Sequence, residues 1–183
     1  MMHYPCLKKR KRKDDYIVKI YTKRGDKGQT DLFNKRVSKA DQHMMVNGTL
    51  DESMAVILMA KHYIRLEEVI NDLDQIHAHL FSMAHEIALN DPEKSITTNE
   101  NVVWIESRLD HYDSFLKPLT RFIKLDQTKA GSWLNLARVT VRRAERELVR
   151  LGEDQPINEC SLQYINRLSD FLFTLARYFD EVQ

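Results

Sequence analysis

The sequence predicts an all-α protein: a five-helix antiparallel bundle of the ferritin-like up-down type, with a phosphate-binding loop at its N-terminal end. Three observations carry this. From about residue 48 onward, apolar residues recur at three- and four-residue steps, the period that gathers them on one face of a helix. Glycine is rare in that stretch, where only Gly48, Gly131 and Gly152 occur. Short polar breaks punctuate the periodic segments, so consecutive helices must turn back on one another.

Ahead of the helices, Ile17-Val-Lys-Ile20 reads as a short strand and Tyr21-Thr-Lys-Arg-Gly-Asp-Lys-Gly-Gln-Thr30 as a loop able to wrap a polyphosphate. Gly25 and Gly28 allow positive φ and close approach of backbone N–H groups to an anion; Thr22 and Thr30 add hydroxyl donors, Lys23 and Lys27 charge. The spacing is not GxxxxGK[ST], so nothing follows by analogy with a Walker A loop. The same composition also suits a plain surface turn.

A first helix is expected near 48–64, starting at Gly48-Thr49, with Asp51 and Glu52 in an opening turn where carboxylates suit the macrodipole. The second carries Val69, Leu73, Ile76, Leu80, Met83 and Ile87 on one stripe. Asn90-Asp-Pro-Glu-Lys-Ser95 separates it from a third, with Val102, Ile105, Leu109, Tyr112 and Leu116. A longer link over 117–128 begins Lys117-Pro118 and carries an isolated Phe122. The fourth helix presents Leu134, Ala137, Val141, Ala144 and Leu148 to the core, the fifth Leu162, Ile165, Leu172 and Phe179. Gly152-Glu-Asp-Gln-Pro156 divides these two.

The chain has 183 residues, enough for one domain with a core of its own. Residues 1–15 form a basic tail and 16–183 the bundle domain. A net charge of +1 excludes a generally basic nucleic-acid binder, so any anion site is local. Lys8-Lys-Arg-Lys-Arg-Lys13 is the one strong charge block and reads as a disordered tail. Two cysteines, Cys6 and Cys160, in unlike contexts suggest neither a disulfide framework nor a CxxC metal site. No apolar run reaches the ~18 residues of a membrane span, and the N-terminus lacks a signal-peptide core. A cytoplasmic protein without a membrane partner is expected.

Charge on the inner helices is more pointed. Asn135, Arg138, Arg142 and Glu145 recur at steps of three and four, with Arg143 and Arg146 nearby. Arg offers a forked donor suited to phosphate or carboxylate, where a solvated face would mix Lys and Glu. Asn166, Asp170, Phe173 and Arg177 answer on the fifth helix. Two such stripes must pair with each other, pair across subunits, or hold a ligand. His77, His79, His85 and His111 lack the paired Glu-x-x-His motifs of a di-iron bundle and read as surface or interface residues, so no metal site is assigned.

Taken together, Ile20-YTKRGDKGQT-Asp31, Arg36-VSK-Lys39, Gly48-TLDE-Glu52, Ala137-RVTVRRAER-Arg146 and Asn166-RLSDFLFTLAR-Arg177 resemble the PduO-type ATP:cob(I)alamin adenosyltransferases over nearly the whole chain after the tail. The resemblance implies a homotrimer with ATP and cobalamin meeting at subunit interfaces. There Co(I) attacks C5′ of ATP and expels tripolyphosphate. It further implies that Thr22, Lys23, Arg24, Gly25, Thr30, Asp31 and Lys39 cradle the triphosphate, and that Arg142, Arg143, Ala144, Glu145, Arg146 and Asn166 hold the rest of ATP. Arg138 would pair with Asp51 across the boundary, and Arg142 would neutralise the leaving group. Phe122 would cover the lower face of the corrin, excluding the axial ligand and easing reduction to Co(I). Mg²⁺ would bridge phosphate oxygens.

The chain departs from the family pattern at Leu125-Asp126-Gln127, where Pro-Gly-Gly is usual. Asn135 replaces a helix-four His, Asn47 an aromatic, and Ser53-Met54 a Leu-Asn pair. The expected activity is adenosylation of cob(I)alamin, with a cobalamin reductase and an adenosylcobalamin-dependent enzyme as partners. The alternative is a catalytically idle trimer that binds ATP or corrinoid as carrier, sensor or scaffold. A nucleic-acid binder led by the tail would show binding that weakens steeply with salt.

Overall fold

The computed structural model describes residues 21–33, 35–91 and 94–182. The strand expected at 17–20, the basic block at 8–13 and Cys6 lie outside the described residues.

Two short strands, β1 (Gln29–Leu32) and β2 (Lys35–Ser38), pair antiparallel with Thr30 opposite Val37. Five helices follow: α1 (Gln42–Lys61), α2 (Glu67–Leu89), α3 (Asn99–Asp113), α4 (Lys129–Asp154) and α5 (Glu159–Glu181). The hairpin was not anticipated, because a four-residue strand is too short for a clear alternating pattern.

Helix α1 begins at Gln42 rather than Gly48. Asp41 is its N-cap, its carboxylate accepting from the His43 backbone N–H at 3.0 Å. Val46 and Leu50 are fully buried, so the core stripe runs straight through Gly48. Asp51 and Glu52 therefore sit in mid-helix, where the N-terminal dipole does not act. Asn90, in the left-handed region at φ 49°, ends α2. Thr98 opens α3 through a capping box with Asn101, and Thr128 caps α4 by accepting from Gly131 N–H at 2.9 Å. Leu116 lies beyond α3, and α4 continues past Gly152 until Gln155-Pro156.

The helices pack in the order α2–α1–α4–α5–α3, with Leu50, Ile57, Leu73, Ile76, Leu134 and Leu148 among the fully buried residues between them. Side chains close the ring between α2 and α3, where Arg108 donates to Asp72 at 2.9 and 2.8 Å and to Glu68 at 2.6 Å. His79 is half-buried, within hydrogen-bond reach of the Tyr164 hydroxyl at 3.0 Å and edge-on to Trp104. Burial pushes its pKa down. It is a packed core-edge residue rather than a surface one.

Antiparallel packing of α1 on α4 fixes the two ends of the bundle. Gln42 donates to the Glu147 carbonyl and carboxylate at 3.0 and 2.8 Å, while Tyr63, just beyond the other end of α1, stacks on Trp133. The His43 ring spans Asp41 and Asn90 at 2.8 and 3.0 Å, joining the start of α1 to the end of α2. The hairpin and its preceding loop thus stand at the end formed by the start of α1 and the end of α4. The link over 114–128 stands at the other.

Candidate active site

In the loop before β1, Lys23 and Gly28 occupy the left-handed region at φ 57° and 73°. Gly25 does not, which corrects the expectation for that residue. Its value is space: a Cβ there would lie 3.1 Å from Lys39 Nζ and 3.3 Å from Lys39 Cε. The Lys39 ammonium is thereby laid along the loop backbone. Gly28 N–H donates to the Gly25 carbonyl at 3.1 Å, and Lys39 N–H to the Gly28 carbonyl at 2.9 Å, so the turn and β2 are stitched together.

Asp31 braces the loop. Arg24 and Arg36 both pair with it at 2.9 Å, and Arg36 also donates to the Arg24 carbonyl. Both its oxygens are thus engaged. Thr22 accepts from Arg24 N–H at 3.4 Å, and Thr30 is half-buried in the hairpin. Lys23 and Lys27 are exposed, leaving their charges free to meet an incoming anion.

On α4 the basic stripe is incomplete within its own chain. Arg138 is half-buried and donates through Nε to Asn135 Oδ1 at 3.0 Å. Among the described residues it has no ion pair, and burial together with the neighbouring Arg142 pushes its pKa down. Arg142 and Arg146 are exposed, without ion pairs among the described residues. Arg143 pairs with Glu52 of α1, while its buried Nε has no partner. Asn47 Oδ1, on α1, is likewise buried and without a partner among the described residues. Glu145 accepts from Asn166 Nδ2 at 2.9 Å, a hydrogen bond that joins the two predicted stripes.

Ala144 is fully buried and its side chain packs in the core, because its position on α4 falls on the apolar stripe. Asp51 is exposed and makes no ion pair with Arg138 of its own chain. Arg177 is a buried structural group, donating to the Lys117 carbonyl at 2.8 Å and to Glu181 at 3.0 and 3.3 Å.

Phe122 stands fully exposed on the 114–128 link, whereas Leu125 is buried and Ile123 packs against the core. Sequence reasoning missed what holds this link. Asp180 accepts from Thr128 N–H at 2.9 Å, from the Thr128 hydroxyl at 2.8 Å and from Gln127 N–H at 3.3 Å. No motif marks Asp180; the available signal was Gly131, whose missing Cβ makes room for that carboxylate. Among the described residues no cluster of three His, Cys, Asp or Glu side chains could hold a metal. None of the described helices is long and apolar enough to cross a membrane.

Comparison with known proteins agrees with this arrangement. A family model described as cobalamin adenosyltransferase matches residues 20–179. The corrinoid adenosyltransferase of Bacillus subtilis is 36% identical over 165 residues, spanning 87% of this chain and 86% of that protein. The corrinoid adenosyltransferase PduO of Salmonella typhimurium is 36% identical over 163 residues, and the match covers 86% of this chain but 48% of that one. Among solved structures, a variant PduO-type ATP:corrinoid adenosyltransferase from Lactobacillus reuteri, complexed with cobalamin and ATP, superposes with a TM-score of 0.81 at 35% identity, covering 88% of this chain and 91% of its own. The basic loop from Tyr21, the α4 arginines and the Phe122 link all fall inside the matched residues, and the chain belongs to the cobalamin adenosyltransferase family.

Proposed function

We propose that the protein transfers the 5′-deoxyadenosyl group of ATP to cob(I)alamin, giving adenosylcobalamin and tripolyphosphate. The Co(I) electron pair forms the Co–C bond at C5′, the C5′–O bond breaks, and its electrons leave on the terminal oxygen of tripolyphosphate. The observation that carries this reading is the α4 stripe: Arg138 and Arg142 have no acidic partner within the described chain, in a protein of this family. Guanidinium groups preorganised in a water-poor cleft stabilise the charge that gathers on the leaving group. Lys39, held along the Gly25 backbone, with Thr22, Lys23, Lys27 and Thr30, meets the triphosphate. Glu145, oriented by Asn166, lies beside the nucleotide. Mg²⁺ would accompany ATP, its charge offsetting that of the phosphate oxygens.

The site closes only between chains, in a homotrimer. The triphosphate loop and Phe122 stand at opposite ends of α1, a helix of 20 residues and so about 30 Å long. A neighbouring chain that brings its loop alongside α4 removes this separation and supplies Asp51 to Arg138. Exchanging the charges, Asp51→Arg with Arg138→Asp, is expected to restore much of the turnover that either single change removes. Sedimentation in parallel reports assembly. Full activity in either single variant would dismiss the pair.

Gly25→Ala is expected to push Lys39 aside and weaken ATP binding roughly three- to tenfold, or about 0.7–1.4 kcal/mol, with unchanged melting temperature. Calorimetric titration with ATP checks it, and unchanged affinity would remove Lys39 from the phosphate site. Cobalt must be reduced to Co(I) before it can attack, which calls for a reductase, and the product suits an adenosylcobalamin-dependent enzyme. The reaction itself is tested by its second product: one tripolyphosphate per corrinoid adenosylated is expected. Release of ADP or AMP in step with the corrinoid product would contradict the proposed bond cleavage.

A further inference from the structure

We infer that Arg177 and Asp180, in the last turns of α5, are positioning residues for corrin recognition: they clamp the two ends of the link that carries Phe122. This rests on the reading that Phe122 meets the corrin.

The link is held at three points, all on one helix. Near its start, the buried Arg177 guanidinium donates to the Lys117 carbonyl at 2.8 Å while Glu181 engages its Nε and Nη2. Phe115 sets its ring edge-on to Tyr178, centroids 5.7 Å apart. At its far end, the Asp180 carboxylate takes Gln127 N–H, Thr128 N–H and the Thr128 hydroxyl. That same hydroxyl oxygen accepts from Gly131 N–H, so Asp180 also orients the cap that starts α4. A Cβ at Gly131 would come within 2.2 Å of Asp180 Oδ1, so the helix accepts a glycine in its first turn to admit the carboxylate.

Between the clamps, Ile123 and Leu125 plug into the core and leave Phe122 projecting. The pinned loop thus holds the Phe122 ring fully exposed, free to meet the corrin on the proposed reading. The arrangement also accounts for Leu125-Asp126-Gln127 in this chain. Leu125 is the plug, the Gln127 N–H donates to Asp180, and the Gln127 side chain bonds Asp126 at 2.7 Å. The charged groups that set the presentation of Phe122 belong to α5, remote in sequence from the loop and from the α4 arginines.

The test compares the full-length wild type with Asp180→Ala, Arg177→Met and Gly131→Ala. Two readouts are used: KM for cob(I)alamin and for ATP, and the rate at which trypsin nicks the link after Arg121 or Lys124. Each variant is expected to raise the cob(I)alamin KM about tenfold, with ATP KM changed less than about twofold, and to speed nicking about tenfold at unchanged helicity. Asp180→Asn keeps an oxygen facing Thr128 and is expected to recover most of the loss, which a generally destabilised fold would not reproduce. Should one variant fail to fold, the other two still report, because they act on different atoms of the clamp. Unchanged nicking would overturn the clamp; faster nicking with both KM values unchanged, or raised together, would overturn its role toward the corrin. A wild-type protein without turnover would overturn the adenosyltransferase reading, and with it this inference.

Discussion

Arg142→Ala is expected to lower kcat for adenosylation about 10²–10³-fold while the bundle and its assembly persist. The side chain is exposed and makes no ion pair among the described residues, so its removal costs no packing. On the proposed mechanism, what it removes is a positive charge at the place where three phosphates depart with the bonding electrons. Arg142→Lys keeps the charge but not the forked, bidentate donor, and should fall between the two. Single-turnover kinetics with saturating ATP separate this from binding: the chemical step should slow while ATP affinity changes little. Wild-type turnover in Arg142→Ala would take Arg142 out of the mechanism.

The largest stability effect is expected at Glu86, far from the arginine stripe. This buried carboxylate of α2 accepts from the backbone N–H groups of Ile96 and Thr97, from the Ser161 hydroxyl at 2.7 Å, and from Asn158 Nδ2 at 3.2 Å to both oxygens. It therefore joins the α2–α3 connection to the first turn of α5, where Asn158 is the N-cap. Glu86→Ala leaves several buried donors without an acceptor and is expected to cost about 3 kcal/mol. For a domain of this size that lowers the melting temperature by about 6–12 °C. Glu86→Gln retains one oxygen and should lose less. A thermal melt decides it, and a fall of less than about 2 °C in Glu86→Ala would show that water replaces the carboxylate.

The apolar stripes of α2, α4 and α5 were legible because each repeats over several turns, and a long repeat defines a helix face whatever its neighbours do. The start of α1 was not. Gly48 looks like a boundary, yet a buried Val46 and Leu50 on either side of it outweigh the modest helical cost of one glycine. The true signal was Asp41, an ordinary N-cap residue followed directly by the helix. For the candidate site, local geometry was not readable. Gly25 was singled out for a positive φ it does not have; what its missing Cβ makes room for is the ammonium of Lys39, a contact across the turn that no spacing rule reveals. The ion pair of Arg24 with Asp31, seven residues apart across the turn, was likewise not legible. Ala144 belonged to an arginine-rich motif and to the core stripe at once, and the helical period decides for the core. Arg177 and Asp180 were invisible as loop anchors because their partners lie 60 and 52 residues away along the chain.

The most direct test of the central claim is the absorbance change when ATP and Mg²⁺ are added to chemically reduced cob(I)alamin with the purified protein, under strict exclusion of oxygen. The account predicts conversion to the light-sensitive spectrum of adenosylcobalamin at a rate proportional to protein. Persistence of the cob(I)alamin spectrum, with ATP binding confirmed by titration, would contradict it and make the protein an idle nucleotide-binding member of its family.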